Sequence, residues 1–274
     1  MHGLGNDFVV INMIHQFFSI TQKMIKNLSN RHMGIGFDQL LLVERSKIKN
    51  IDFHYRIFNA NGTEVAQCGN GARCFALFVS LKRLTIKKIF YVSTKNRVLI
   101  LNILGDGNIC VDMGVPCFDL EKIPYLVSSI HPPYLINILG KTIYYDLVTM
   151  GNPHCVIRVN DLKKYPVREI GSILSSHKIF PQGINVGFME ILSKSDISLR
   201  VYERGVGETL SCGSGACAAV ASGINQGLLL NQVKVNLLYG MLDIQWHGNN
   251  KKLYMTGPAV HIYDGYFYPH KFYS

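Results

Sequence analysis

Two cysteine-glycine segments, Cys68-Gly69-Asn70-Gly71-Ala72 and Cys212-Gly213-Ser214-Gly215-Ala216, stand 144 residues apart in a chain of 274. That spacing constrains the fold more than any other feature. The same shift superposes Asp52 on Asp196, Arg56 on Arg200, Ile57 on Val201, Phe58 on Tyr202 and Glu64 on Glu208. A shift of 146 pairs Asn6 with Asn152, Gln39 with Asn185 and Glu44 with Glu190, as a two-residue length difference between copies requires. The chain is therefore expected to hold two copies of one unit, each carrying a thiol at an equivalent place.

The pattern between the motifs is mostly that of short strands separated by turns. Strands are expected at 7–12, 39–44, 53–59, 97–104 and 108–114, then at 141–150, 155–159, 186–192, 198–203, 233–238, 241–247 and 259–263. Gly105-Asp106-Gly107-Asn108, Tyr239-Gly240 and Asn249-Asn250 supply hairpin-turn chemistry, so the sheets are expected to be antiparallel or mixed. Helical segments are few. Residues 75–81 and 216–224 carry no charge and are apolar or small on every face, so both helices must be buried all round. A curled sheet around a central helix meets that demand. Amphipathic helices near 19–30 and 167–176 cover the outside. The expected fold class is α+β, with two pseudo-symmetric domains, each a mostly antiparallel curled sheet around a buried helix. Residues 1–117 form the first domain and residues 118–262 the second. The active site is expected in the cleft between them.

Bulk composition narrows the class further. With 48% hydrophobic residues the chain can build two ordinary cores. No run approaches a membrane span, and residues 1–10 carry Asp7 and two glycines where a signal peptide has an apolar core. A cytoplasmic protein is expected. Seven cysteines fit a reducing compartment, and none is spaced with histidines as a zinc site requires, so no metal is expected. The net charge is +10, but the lysines and arginines are scattered singly or in pairs, which speaks against nucleic acid as a partner.

A cysteine immediately before a helix stands among backbone N–H groups that lack intrahelical partners. The positive helix end is expected to lower the thiol pKa, and the glycines let a small carboxylate approach the backbone. Two such sites meeting at one carbon suit proton removal from one face and return from the other, which is racemisation at the α-carbon of an amino acid without any cofactor. Two close thiols would titrate as a coupled pair, and they could also oxidise to a disulfide. Asn6 and Asn152 are read as matching polar groups at strand entrances. His154 and Glu203 stand where they could tune a thiol, and Arg204 could fork onto a carboxylate. The Gly-x-Gly at Gly3–Gly5 lacks the third glycine of a dinucleotide fingerprint.

The chain resembles the diaminopimelate epimerase family over essentially its whole length. The resemblance rests on His2-Gly3-Leu4-Gly5-Asn6-Asp7-Phe8, Gly34-Ile35-Gly36-Phe37-Asp38-Gln39, Phe58-Asn59-Ala60-Asn61-Gly62 and Cys68 to Cys74 in the first half. In the second half it rests on Gly151-Asn152-Pro153-His154, Gly183-Ile184-Asn185, Tyr202-Glu203-Arg204-Gly205, Glu208-Thr209 and Cys212 to Ala216. It implies cofactor-independent interconversion of LL- and meso-diaminopimelate in bacterial lysine and cell-wall synthesis. Cys68 and Cys212 match the acid–base pair, and His154 and Glu203 match the residues that tune it. Asn6, Gln39, Asn59, Asn152, Asn185, Glu203 and Arg204 match substrate contacts, while Gly69, Asn70, Gly213 and Ser214 cradle the reacting carboxylate. A homodimer is implied, with Tyr263 at the contact, as is a C-terminal strand at about 263–274 that returns to the first domain. Family members usually carry a strand segment before the His-Gly-Leu-Gly motif, which is absent here. Proline racemase-like chains are similar around the cysteines but have Pro-Cys-Gly, where this sequence has Gln67 and Ser211 before the two thiols.

Overall fold

The computed structural model describes residues 1–66, 68–126, 132 and 134–272, so Gln67 and the end of the expected 263–274 strand lie outside the described residues. The chain divides into two compact units. Unit 1 is Met1–Asp112 with Gly257–Ser274, and unit 2 is Met113–Thr256, so both crossing points fall a few residues before the expected ones.

Unit 1 is built from β1 (His2–Gly3), β2 (Asn6–Asn12), α1 (Gln22–Ser29), β3 (Gln39–Arg45), β4 (Phe53–Asn59), β5 (Glu64–Val65), α2 (Gly69–Leu81), β6 (Ile89–Ser93), β7 (Val98–Ile103) and β8 (Ile109–Gly114). β2 pairs parallel with β3, β3 antiparallel with β4, β4 antiparallel with β5 and parallel with β6. β6 to β8 form a meander. The helices are the crossovers that parallel pairing demands: α1 joins β2 to β3, and α2 joins β4 to β6.

Unit 2 repeats this order with β9 (Tyr134–Ile138), β10 (Lys141–Thr149), β11 (Pro153–Arg158), α3 (Val167–Ser175), β12 (Asn185–Ser193), β13 (Asp196–Glu203), β14 (Gly207–Thr209), α4 (Gly213–Asn225), β15 (Gln232–Leu237), β16 (Gly240–Gln245) and β17 (Leu253–Gly257). Again the β11–β12 and β13–β15 pairs are parallel while β12–β13, β13–β14, β15–β16 and β16–β17 are antiparallel. Ladder by ladder, the second copy follows the first. The fold is the mixed, sheet-dominated α+β architecture expected from the duplication.

The helices obey their sequences. Thr21 caps α1, its hydroxyl accepting from the Met24 N–H at 3.1 Å, and Met24, Ile25 and Leu28 form the buried stripe. α2 and α4 begin directly at the cysteine motifs, and both are buried on almost every side, as their uncharged faces require. Around α2 stand Phe8, Leu41 and Tyr55, all buried; each wholly buried aliphatic or aromatic side chain contributes roughly 1.5–3 kcal/mol. Short strands such as Ile89–Ser93 and Tyr134–Ile138 were not expected, because their alternation is broken by exposed Ile89, Tyr91 and Leu135.

The C-terminal segment corrects an expectation. The strands at 259–263 and 263–274 do not form among the described residues: Val260 makes an isolated bridge with His2, and Pro269–Phe272 is a 3₁₀ turn. Aromatic anchoring replaces the ladder. Phe267 packs edge-on against Phe18 and Phe272, and both phenylalanines of the segment rest on the core under α1. Pro269 offers no N–H for pairing.

Candidate active site

In unit 1, Cys68 is the N-cap of α2 in extended conformation, its sulfur accepting from the Gly71 N–H at 3.4 Å. This is the capping position that Ser or Asp commonly fills, here taken by a thiol. On its other side the Cys68 sulfur lies 3.8 Å from Asn6 Oδ1. Asn6 is held in that orientation because its Nδ2 donates to the Asp38 carboxylate at 3.0 Å, leaving the amide oxygen toward sulfur. Asp38 and Asp7 are in turn bridged by Arg31, which keeps Asp7 below the ordinary carboxylate range against the effect of its partial burial. The sequence reading missed the Asp7–Arg31–Asp38 anchor. Its only signal was an acidic residue next to each of two candidate polar groups, Asp7 beside Asn6 and Asp38 beside Gln39.

Gln39 and Asn59 sit opposite each other in the β3–β4 ladder, and Gln39 Nε2 donates to Asn59 Oδ1 at 2.8 Å. Gln39 Oε1 is buried and has no partner among the described residues. Gly69 and Asn70 open the first turn of α2, both buried. Gly71 is a glycine for a steric reason, since a Cβ there would lie 2.4 Å from the Tyr55 hydroxyl.

In unit 2, Cys212 is the N-cap of α4 but makes no capping hydrogen bond through its sulfur. It is buried, where Cys68 is partly exposed. Burial, and then the carboxylate of Glu203, push the Cys212 thiol well above its ordinary pKa, while the nearby Gly215 N–H and Ser214 hydroxyl pull the other way. The expectation that the helix end lowers this thiol is thus corrected: desolvation and a neighbouring anion outweigh the helix-end donors. Cys212 is held as the neutral thiol. Glu203 is fixed by the Thr209 hydroxyl, which donates to its carboxylate at 2.6 Å. Burial pushes up the Cys74 and Cys155 thiols as well, Cys74 to about 12.

Asn152 donates to the Ser214 hydroxyl oxygen at 3.2 Å, tying the loop before β11 to the first turn of α4. Asn185 bridges β11 and β13, its Nδ2 donating to the Pro153 carbonyl and its Oδ1 accepting from the Arg204 backbone N–H. The Arg204 guanidinium is exposed and donates to the Gln182 carbonyl at 2.8 Å. His154 is buried, with neither ring nitrogen partnered among the described residues. Burial, reinforced by the Arg204 charge, drops its pKa to about 3, so the imidazole is neutral at physiological pH. Tyr263, in the C-terminal segment, is 62% exposed.

Within unit 1 the fold gathers Asn6, Cys68, Gly69 and Asn70, with the Gln39–Asn59 pair on neighbouring strands. Within unit 2 it gathers Asn152, Glu203, Cys212, Gly213 and Ser214, with His154, Asn185 and Arg204 along the same strand ends. All seven cysteines are free thiols. Among the described residues no group of His, Cys, Asp and Glu is arranged to hold a metal ion, and no helix is long and apolar enough to cross a membrane.

Solved structures share this duplicated architecture. A hydroxyproline epimerase from Agrobacterium vitis superposes with a TM-score of 0.69 over 94% of this chain and 86% of its own, at 14% identity. A Bacillus anthracis protein of the PhzF phenazine biosynthesis family does so with a TM-score of 0.66 over 96% and 93%, at 15% identity. These likenesses define the fold class, one used by racemases, epimerases and their relatives. Sequence narrows it. The diaminopimelate epimerase family profile matches residues 1–118 and 147–262. A diaminopimelate epimerase of Buchnera aphidicola subsp. Baizongia pistaciae (strain Bp) is 68% identical over 272 residues, covering 98% of this chain and 94% of that protein. The chain belongs to the diaminopimelate epimerase family, and is accordingly an isomerase of the epimerase type.

Proposed function

We propose that the protein epimerises LL-2,6-diaminopimelate to the meso form without a cofactor, using Cys68 and Cys212 as the acid–base pair. The observation that carries the reading is the presence of a cysteine N-cap on each of two topologically equivalent buried helices, in a chain 68% identical to a diaminopimelate epimerase. One sulfur takes the α-proton, the resulting carbanion is stabilised through its carboxylate by N–H groups of the two glycine-containing first turns, and the other thiol returns a proton from the opposite face. Because burial and Glu203 hold Cys212 protonated, Cys212 is the resting acid and Cys68 the resting base. His154, neutral and buried beside Arg204, shapes the surroundings of this pair as an uncharged group. Asn6, Gln39, Asn59, Asn70, Asn152, Asn185, Glu203, Arg204 and Ser214 bind the substrate, whose two amino-acid ends call for this mixture of donors and acceptors. The setting that fits the reaction is lysine and peptidoglycan precursor synthesis in the cytoplasm, by a homodimer with Tyr263 at the contact.

The test is deuterium incorporation at the α-carbon in heavy water, assayed with diaminopimelate, proline and hydroxyproline. Exchange and epimerisation of diaminopimelate alone are expected, with the Cys68→Ala and Cys212→Ala variants losing roughly 10²–10⁴-fold in kcat. An active Cys68→Ala protein, or turnover of proline with none of diaminopimelate, overturns the proposal. The reading also requires both sulfurs to reach one α-carbon, which a ligand-bound structure measures directly.

A further inference from the structure

Just past its first turn, α2 carries a charge that the catalytic reading does not use. Arg73 is the only charged residue of that helix, and it is 0% exposed. Its Nε donates to the Pro258 carbonyl at 3.0 Å, and its terminal nitrogen donates to Asn70 Oδ1 at 3.1 Å. Gly3 closes over the contact so tightly that a Cβ there would lie 3.1 Å from the Asn70 carbonyl and 3.2 Å from the Arg73 guanidinium. Two remote stretches of unit 1, the β1 hairpin and the segment after β17, thus converge on one guanidinium that also holds Asn70, three residues earlier on the same helix.

A guanidinium has five N–H donors and no acceptor, so the end of the Asn70 amide that faces it must be the oxygen. That puts the amide nitrogen on the end turned away from Arg73. We propose that Arg73 is a positioning residue that fixes the polarity of Asn70, turning its amide into a donor for the reacting carboxylate. The proposal deepens the carboxylate-cradle reading given above and rests on it. Unit 2 fixes its own first-turn polar group by another route. Asn152 donates to the Ser214 oxygen at 3.2 Å, and that hydroxyl also stands 3.7 Å from the Cys212 sulfur. The repeat-mate of Arg73 is Cys217, which has no such donors, and Ser214, being a hydroxyl, needs no amide flip to be fixed.

The experiment is a double-mutant cycle of Arg73→Met and Asn70→Ala, read in kcat and KM for LL-diaminopimelate. Each single variant is expected to lower kcat/KM about 10- to 100-fold, the scale of a lost hydrogen bond to a charged group. In the Asn70→Ala background, Arg73→Met is expected to change kcat/KM less than about twofold, although it still lowers the unfolding temperature. Additive losses, or an Arg73→Met enzyme with unchanged kcat/KM, overturn the proposal. Should Arg73→Met fail to fold, Asn70→Asp decides: it strengthens the contact with Arg73 yet presents only acceptors, so the unfolding temperature is retained while KM rises at least about tenfold. Unchanged KM in a folded Asn70→Asp protein sinks the idea. If the wild-type protein does not turn over diaminopimelate at all, the cradle reading has failed. The Asn70 side-chain ¹⁵N resonances in ligand-free wild type and Arg73→Lys still report whether Arg73 locks the amide, a shift being expected and coincident resonances counting against it.

Discussion

The two units use one scaffold and make two different thiols of it. Strand order, parallel crossovers and the cysteine cap recur, and so does a supporting ion pair: Arg56 Nε meets Glu64 at 2.9 Å, and Arg200 Nε meets Glu208 at 2.7 Å. The differences lie where side chains stand near sulfur. Where unit 1 has Asn59, unit 2 has Glu203; where unit 1 has Phe8, unit 2 has His154. Cys68 faces a neutral amide oxygen and stays partly exposed, whereas Cys212 is buried beside a carboxylate. A duplicated fold guarantees equivalent backbone positions for the two groups. In the proposed reaction, their division into acid and base is left to a few side chains at the strand ends.

The largest effect that would break this comparison concerns His154. Its pKa falls from 6.5 to about 3 on folding, because burial disfavours the cation. Below pH 6.5 the unfolded chain therefore takes up a proton that the folded chain refuses, so stability is lost as pH falls from 6.5 toward 3, by about 1.4 kcal/mol per unit. Urea unfolding at pH 4.5 and 6.5 is expected to show this slope in the wild type and a shallower one in His154→Phe, which borrows the unit 1 residue. Equal slopes in the two proteins would mean that His154 is not held neutral by the fold.

A second effect sharpens the contrast between the thiols. At pH 7.5 iodoacetamide is expected to label Cys68 at least about tenfold faster than Cys212, because the buried sulfur is both shielded and held protonated. In Glu203→Gln the second cause of the Cys212 shift is gone, so the pH midpoint of Cys212 labelling should move down. Mass spectrometry of the two peptides follows both, and an unmoved midpoint would show that burial alone governs this thiol.

Much of this was legible because duplication leaves its mark directly in sequence. The cysteine caps, the buried uncharged helices and the equivalence of Asn6 with Asn152 follow from offset and composition alone. What was hidden depends on contacts between residues far apart along the chain. The sign of the Cys212 shift needs the burial of its sulfur and the approach of Glu203, neither of which a local motif encodes. Arg73 was hidden in the same way, since a single arginine near a helix start reads as an exposed charge until the Pro258 carbonyl and the β1 hairpin close over it. The C-terminal segment was expected to be a strand through the family resemblance alone, yet Phe267 and Phe272 are used as anchors under α1.

The smallest effect tests how equivalent the supporting ion pairs are. The Glu208 side chain is 5% exposed and Arg200 21%, against 29% for Glu64 and 35% for Arg56. Burial pushes Glu208 up, but Arg200 and Arg168 together hold it below its ordinary pKa. Removing Arg200 leaves a nearly buried carboxylate with only Arg168, whose side chain is 84% exposed, as its cationic partner among the described residues. Arg200→Met should therefore cost about 2 kcal/mol, between the values for exposed and fully buried pairs. Arg56→Met should cost under about 1 kcal/mol, because solvent replaces the lost partner. Chemical denaturation of the two variants measures the difference, and equal losses would show that the copies support their β4 and β13 strands with pairs of equal worth, despite their unequal burial.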